Sequence, residues 1–514
     1  MTIDFEKSGI DYLLVNSTNE FLAEYSLLSE NSRYSITNFS GSTGDALIAK
    51  SGEIFLFVDG RYHTQAEQEI NSNVTLVKLG TGQKQDEEIK KLIPEGAVLG
   101  VVAKKVSQSR LEGFQGIKIN LLSEDLINSY TEINKNVVEF LPLELVGKSF
   151  EDKVREIPKP YFTSDCEEIS YLLNARDFSE NYKSKIQAKL LLTEYESVLF
   201  TDMQVENSSV EALTIMPLSE VSKMLLRFTY PVYVDKNTIN ASDFASIILP
   251  EFIDSPVKRM KSIKTDAELN SYKRAFEATD KALLATRDFI MSNDASEFEI
   301  AEVLETNFRK YGAKGLSFKS IVAKDKNSAL AHYSKNSKDE IVKAGSLVLI
   351  DCGAYFENGL ATDITRVFVK GQPTDEHRRI YTTVLKMFLN SFFSKADNGY
   401  ETDAVARNLL KFFPVKGYSF GHGLGHGLGV NVHEAPPVLN PSEGAKGKFE
   451  NGMCFTIEPG LYNPETFGVR LENSCYYEDD TVKSFTQMPY EEKLIDYSLL
   501  NEDETEWLKE FKLI

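Results

Sequence analysis

Short apolar runs alternating with polar, helix-periodic stretches fill the first quarter of the chain. Tyr12-Leu-Leu-Val15, Ala46-Leu-Ile-Ala49 and Ile54-Phe-Leu-Phe-Val58 read as strands, and Lys84–Leu92 reads as a helix. That alternation predicts a small α/β domain over 1–130. Residues 131–258 carry a similar mix, from Ile169-Ser-Tyr-Leu-Leu173 to Ala245-Ser-Ile-Ile-Leu249, and predict a second α/β domain. From 259 the period changes. Thr265-Asp-Ala-Glu268 is a capping box, followed at helical spacing by Leu269, Tyr272, Phe276, Thr279 and Leu283. Ser296-Glu-Phe-Glu299 repeats the device for a second helix. Beyond about 345 the runs become strand-like again: Ser346-Leu-Val-Leu-Ile350, Thr365-Arg-Val-Phe-Val369 and Cys454-Phe-Thr-Ile457. Helices preceding an antiparallel sheet predict an α+β domain over 259–514.

Length agrees with this division, since 514 residues suggest about three domains at roughly 150 residues each. A 42% hydrophobic and 26% charged composition is that of an ordinary globular protein. The formal net charge of −20 argues against a nucleic-acid partner, which would call for basic patches. Cys166, Cys352, Cys454 and Cys475 form no CxxC pair and no disulfide framework. The first residues show no secretory signal, and no apolar run is long enough to span a membrane, so a reduced, cytoplasmic setting is expected.

The chemistry gathers in the last third. Residues 421–434 read Gly-His-Gly-Leu-Gly-His-Gly-Leu-Gly-Val-Asn-Val-His-Glu, holding three of the chain's six histidines. A flexible connector or a weak His-rich metal tract would be the bland reading. An extended segment would instead put His422 and His426 on one face, with the glycines admitting another backbone. Asp351, Asp363, Glu458 and Glu472 border Ile350, Ile364, Ile457 and Leu471 on strands that read as buried. Buried carboxylates repel one another and shift toward the neutral acid unless a cation compensates them. Four carboxylates and one imidazole balance two divalent cations, an oxygen-rich set suited to manganese, cobalt, iron or zinc.

Asp351-Cys-Gly, Thr362-Asp-Ile-Thr-Arg366, His422-Gly-Leu-Gly-His-Gly-Leu-Gly429, Val432-His-Glu434, Thr456-Ile-Glu-Pro-Gly460 and Val469-Arg-Leu-Glu-Asn473 together resemble the aminopeptidase P and prolidase family. Arg33-Tyr-Ser-Ile-Thr-Asn-Phe-Ser-Gly-Ser-Thr-Gly44, Asp59-Gly-Arg-Tyr62 and the tail around Lys493–Leu500 carry the likeness nearly end to end, with a looser match at Tyr171-Leu-Leu-Asn-Ala-Arg176. The resemblance implies an α+β fold in which two smaller creatinase-type α/β domains precede a C-terminal pita-bread catalytic domain. It implies hydrolysis of the bond between an N-terminal residue and a following proline, through a hydroxide supplied by two divalent metals, most simply manganese. Asp351, Asp363, His426, Glu458 and Glu472 would be the ligands, with Asp363 and Glu472 bridging. Glu458 would also move the proton. His433 would face the oxyanion, and His422 and His332 would frame the substrate. Arg470 would contribute to the substrate site and orient Glu472. Peptides with proline second are the implied partners, and a homodimer is compatible with the family. A prolidase restricted to dipeptides, or a pita-bread binding protein without catalysis, are the alternatives. Such non-catalytic relatives lose metal ligands, whereas this chain keeps all five positions.

Many relatives separate the two aspartates by eleven residues, whereas Asp351 and Asp363 lie twelve apart. A two-residue turn at Asn358-Gly359 would put them on opposite sheet faces. The extra residue therefore predicts a three-residue loop, Glu357–Gly359, with Phe356 opposite Leu360 and Gly359 left-handed. A β-bulge between the aspartates would serve as well.

Overall fold

The computed structural model describes residues 3–24, 28, 31–80, 82–128, 135–179, 181–208 and 210–514. Their contacts form two units. One comprises 1–140, 150–175 and 186–256; the other comprises 141–149, 176–185 and 257–514.

The first unit holds two six-stranded mixed sheets. In one, Tyr12–Val15 lies antiparallel to Asp45–Ala49 and parallel to Val98–Val102, with Ile54–Val58, Val74–Lys78 and Lys118–Leu122 completing the order. Leu14, Leu47, Phe57, Leu99 and Val101 form its core with Phe114, which explains the uninterrupted apolar runs. The other sheet is centred on Tyr161–Thr163 and Lys189–Leu192, and Phe162, Leu191, Val198, Val232 and Val234 pack together there.

The second unit begins with the helix Asp266–Ser292. Thr265 Oγ1 accepts from the Glu268 amide while the Glu268 carboxylate accepts from the Thr265 amide. Ser296 and Glu299 cap Glu297–Lys310 in the same way. Two antiparallel sheets follow. One pairs Ile321–Lys324, Leu347–Cys352 and Ile364–Val369; the other has five strands, including Gly425–Gly427, Cys454–Ile457 and Asn473–Glu478.

The strand Leu347–Cys352 is apolar throughout because both of its faces are covered. Val348 and Ile350 pack with Leu283, Ile300, Leu304 and Phe308 of the two leading helices. Leu347 and Leu349 pack on the other side with Ile380, Val384 and Phe388 of a further helix, Asp375–Phe392, and with Phe455 and Ile457. By the two-residue period, Asp351 shares the face of Leu347 and Leu349 and so points between the layers. The helix Asp375–Phe392, and Gly399–Phe412 after it, correct the expectation that helices only precede the sheet. The first is legible in retrospect from Thr374 and His377 as a capping pair, and from Ile380, Val384 and Phe388 at helical spacing.

Asp351 pairs with Thr365, Cys352 with Ile364 and Tyr355 with Ala361, a single register that sets Phe356 opposite Leu360. The loop is Glu357–Gly359: the Gly359 amide donates to the Phe356 carbonyl at 3.0 Å, and Gly359 has φ +61°. Asp363 therefore opposes Gly353, two residues from Asp351, and both aspartates take one face without a bulge. Gly353 cannot be replaced cheaply, because a Cβ there would lie 1.8 Å from the Thr362 carbonyl oxygen.

Candidate metal centre

The second unit brings the five carboxylate and histidine positions together from three hairpins. Asp363, His426 and Glu472 offer ligand atoms all within 4.8 Å of one another. His426 Nε2 lies 3.6 Å from Asp363 Oδ2 and 3.5 Å from Glu458 Oε1. Asp351 is joined to the group through Arg470, whose Nη2 donates to Asp351 Oδ2 at 2.7 Å.

The glycines of the His-rich stretch serve close approach. A Cβ at Gly425 would sit 1.9 Å from the Thr456 carbonyl, and one at Gly427 2.1 Å from the Glu434 carbonyl. The neighbouring backbones thus press directly on the strand carrying His426, fixing its ring between Asp363 and Glu458. Only Gly425–Gly427 is a strand, so the predicted extended segment is shorter than the motif. Gly425→Ala should displace strand Cys454–Ile457 and cost more than the ~1–3 kcal/mol typical of overpacking, read as a fall in the urea midpoint.

Four carboxyl groups packed close together set the electrostatics. Burial, then repulsion from Glu472, Asp351 and Glu458, pushes the Asp363 carboxyl well above its usual range, with Arg470 opposing. Burial, Glu458 and Asp351 do the same to Glu472, against Arg470 and the Thr365 hydroxyl. Glu458 is pushed up to about 7, chiefly by burial. Asp351 Oδ1, Asp363 Oδ1 and Glu472 Oε1 are buried and have no hydrogen-bond partner among the described residues. Three orphaned carboxylate oxygens beside an imidazole nitrogen are the donor set that hard or borderline divalent cations take. The residues present fit such ions.

Around them stand groups the sequence reading placed differently or left out. Arg470 does not hold Glu472 directly. Its Nη2 takes Asp351, and its Nε donates to Thr365 Oγ1 at 3.1 Å, whose hydroxyl in turn donates to Glu472 Oε2 at 2.8 Å. The reason is topological: the strand Gly468–Arg470 ends before Glu472, so the two side chains do not share a regular strand face. Tyr462 has no distinguishing sequence signal, yet its hydroxyl accepts from Arg470 Nη1 at 2.7 Å and lies 2.9 Å from His422 Nε2. That contact links His422 through Arg470 to Asp351. Glu434, the last residue of the Val-His-Glu motif, has a structural place. It is fully buried against Lys261 and Lys264, and it accepts from the Val430 amide at 3.0 Å.

His433 stands edge-on to His426 with ring centroids 4.5 Å apart, and its charge bears on Glu458. His332 lies half-buried in the turn after Leu330. Its loop is tied to the strand of Arg470, because Ser328 and Gly468 exchange hydrogen bonds at 2.9 Å. His332, His422, His426 and His433 are all half-buried, and His422 and His426 touch the cluster or its Arg470–Tyr462 support. Elsewhere, His63 Nε2 contacts the Leu79 carbonyl and His377 packs on Phe467, both structural.

A buried carboxylate–histidine cluster between antiparallel hairpins, on the face of the aspartate strand turned away from its two leading helices, is the arrangement of a metal-dependent hydrolase. Metallopeptidase family M24 matches residues 270–479, and the creatinase/prolidase N-terminal domain matches residues 4–128. The C-terminal part of the chain is thus an M24 domain of the pita-bread fold, and its N-terminal part is a creatinase-type domain. Among individual relatives, the probable Xaa-Pro aminopeptidase P of Coprinopsis cinerea is 27% identical, over 98% of this chain and 92% of that protein. Xaa-Pro aminopeptidase 1 of Dictyostelium discoideum is 26% identical, over 97% and 88%. The fold is also that of the X-prolyl aminopeptidase of Caenorhabditis elegans, described as a cytosolic enzyme with a di-nuclear active site. The TM-score is 0.86 at 23% identity, covering 98% of this chain and 90% of that one. No helix among the described residues is long and apolar enough to cross a membrane, and all four cysteines are free and buried.

Proposed function

We propose that the protein is an X-Pro aminopeptidase, removing any N-terminal residue that precedes proline. The observation that carries this reading is the cluster of Asp363, His426 and Glu472, joined by Glu458 at His426 and by Asp351 through Arg470, with three carboxylate oxygens left for a cation. These five side chains would hold two divalent ions, and manganese is the proposed metal. When bound, the ions supply Lewis acidity and a nucleophile at neutral pH.

The protein's own groups do the rest. The bond before proline has a leaving nitrogen without an N–H, so that nitrogen must gain a proton as the bond breaks. Glu458 takes the proton from the attacking water and returns it to the prolyl nitrogen. His433 donates to the oxygen that becomes negative. His422 and His332 frame the prolyl ring. Arg470 holds Asp351 while Thr365 passes its influence to Glu472.

The division 1–130, 131–258 and 259–514 belongs to the same reading, supported by separate cores in the two six-stranded sheets. So do a cytoplasmic location, in keeping with four free thiols, and a homodimer. Hydrolysis of Arg-Pro-Pro against Ala-Pro, with and without Mn²⁺, tests the function. Peptides longer than two residues should be cleaved at least as well as the dipeptide, measured as kcat/KM, and both only with metal. A strict dipeptide preference would reassign the protein as a prolidase; no turnover of either would leave a binding protein.

A further inference from the structure

The segment 176–185 lies outside the region that matches the M24 family, yet it packs within the unit that holds the cluster. It does so through two loops next to the strands that carry Asp363 and His426. The Ser184 hydroxyl donates to the Gly359 carbonyl at 2.6 Å and lies 3.1 Å from the Val430 carbonyl. Arg176 Nε donates to the same Gly359 carbonyl at 3.2 Å. Gly359 is the left-handed residue of the loop four positions before Asp363, and Val430 stands between His426 and His433. The two loops also meet directly, the Ala361 amide donating to the Gly429 carbonyl at 2.8 Å.

The segment grips the aspartate hairpin on its other side too. The Tyr182 amide donates to the Leu316 carbonyl at 2.7 Å, Asn181 Oδ1 accepts from the Leu316 amide at 3.1 Å, and Leu316 pairs with Ala354. The Asp177 amide, donating to the Ser184 carbonyl at 2.8 Å, closes the segment on itself. Arg176, Asp177 and Ser184 are all fully buried. Burial of polar groups at this density is costly unless each is matched, so these bonds hold one spacing and not several.

We infer that Ser184 and Arg176 are positioning residues for the metal centre, setting the distance between the loop that leads to Asp363 and the loop that runs from His426 to His433. This rests on the aminopeptidase reading above. A ligand set of fixed geometry binds its ions more tightly than one whose two halves drift, and partners beyond the ligands typically contribute 10–100-fold in metal affinity or activity.

The test is calorimetric titration of chelator-treated protein with Mn²⁺, beside its melting curve without metal and kcat and KM on Arg-Pro-Pro. Ser184→Ala should weaken Mn²⁺ binding about tenfold. It should lower kcat with KM nearly unchanged, while the metal-free melting temperature falls by no more than about 4 °C. Arg176→Lys keeps a cation facing Glu268 and Glu434 but removes the Nε donor, and it should show the same pattern. It decides alone if Ser184→Ala does not fold. Mn²⁺ affinity within twofold of the unaltered protein in a folded variant overturns the inference while leaving the aminopeptidase reading intact. Failure of the unaltered protein to bind Mn²⁺ overturns both.

Discussion

Asp363→Asn or Glu472→Gln will abolish peptide hydrolysis, lowering kcat by about 10³ or more, because several kcal/mol of charge stabilisation depend on the bound ions. Both side chains sit at the centre of the cluster, and each has one buried oxygen free of protein partners. The same substitutions will act oppositely on the metal-free fold. The carboxyls of Asp363 and Glu472 lie above their unfolded values, so each contributes stability below its unfolded pKa and loses it as pH rises through the folded one. At neutral pH the cluster therefore works against folding until cations arrive. Chelator-treated Asp363→Asn should melt no lower than the unaltered protein, and Mn²⁺ should raise the melting temperature of the unaltered protein far more than that of the variant. Full turnover by either variant after dialysis against chelator would sink the ligand assignment.

His433→Ala will lower kcat by about 10²–10³, the usual loss on deleting one oxyanion donor. Mn²⁺ affinity should stay close to that of the unaltered protein. The difference is one of position: His426 lies within 3.6 Å of Asp363 and Glu458, whereas His433 stands at the edge of the His426 ring, close enough to Glu458 to lower its carboxyl pKa. A group in that place can face a reacting oxygen without being a ligand. Separate measurements of kcat and of Mn²⁺ binding will decide. Metal loss as large as that of His426→Ala would mean that the two histidines had been assigned each other's roles.

Much of the site was legible because its residue types are unusual where they occur. Carboxylates flanked by Ile350, Ile364, Ile457 and Leu471 cannot be ordinary solvated turn residues, and glycine alternating with histidine is unsuited to a helix. The loop at Glu357–Gly359 could be derived by counting, since side chains alternate strictly along a strand and one residue too many must go into the turn. The capping boxes at Thr265 and Ser296 were readable for a similar reason: both partners lie within four residues.

What could not be read depends on residues distant in sequence. Arg470 stands two positions from Glu472 and 119 from Asp351, yet it binds the latter, because chain spacing does not say where a short strand ends. Tyr462 looks like any strand aromatic until Arg470 and His422 are placed on either side of its hydroxyl. The buried ion group of Glu434 with Lys261 and Lys264 reads along the chain as scattered surface charge. Local pattern thus determined the elements, the capped helices, the aspartate loop and the residue types of the candidate cluster, since these follow from periods of two and 3.6 and from short-range bonds. Only the tertiary structure decided which partner each charged side chain takes, and that 176–185 packs with the catalytic unit, since those choices are made by burial and hydrogen-bond matching across the fold.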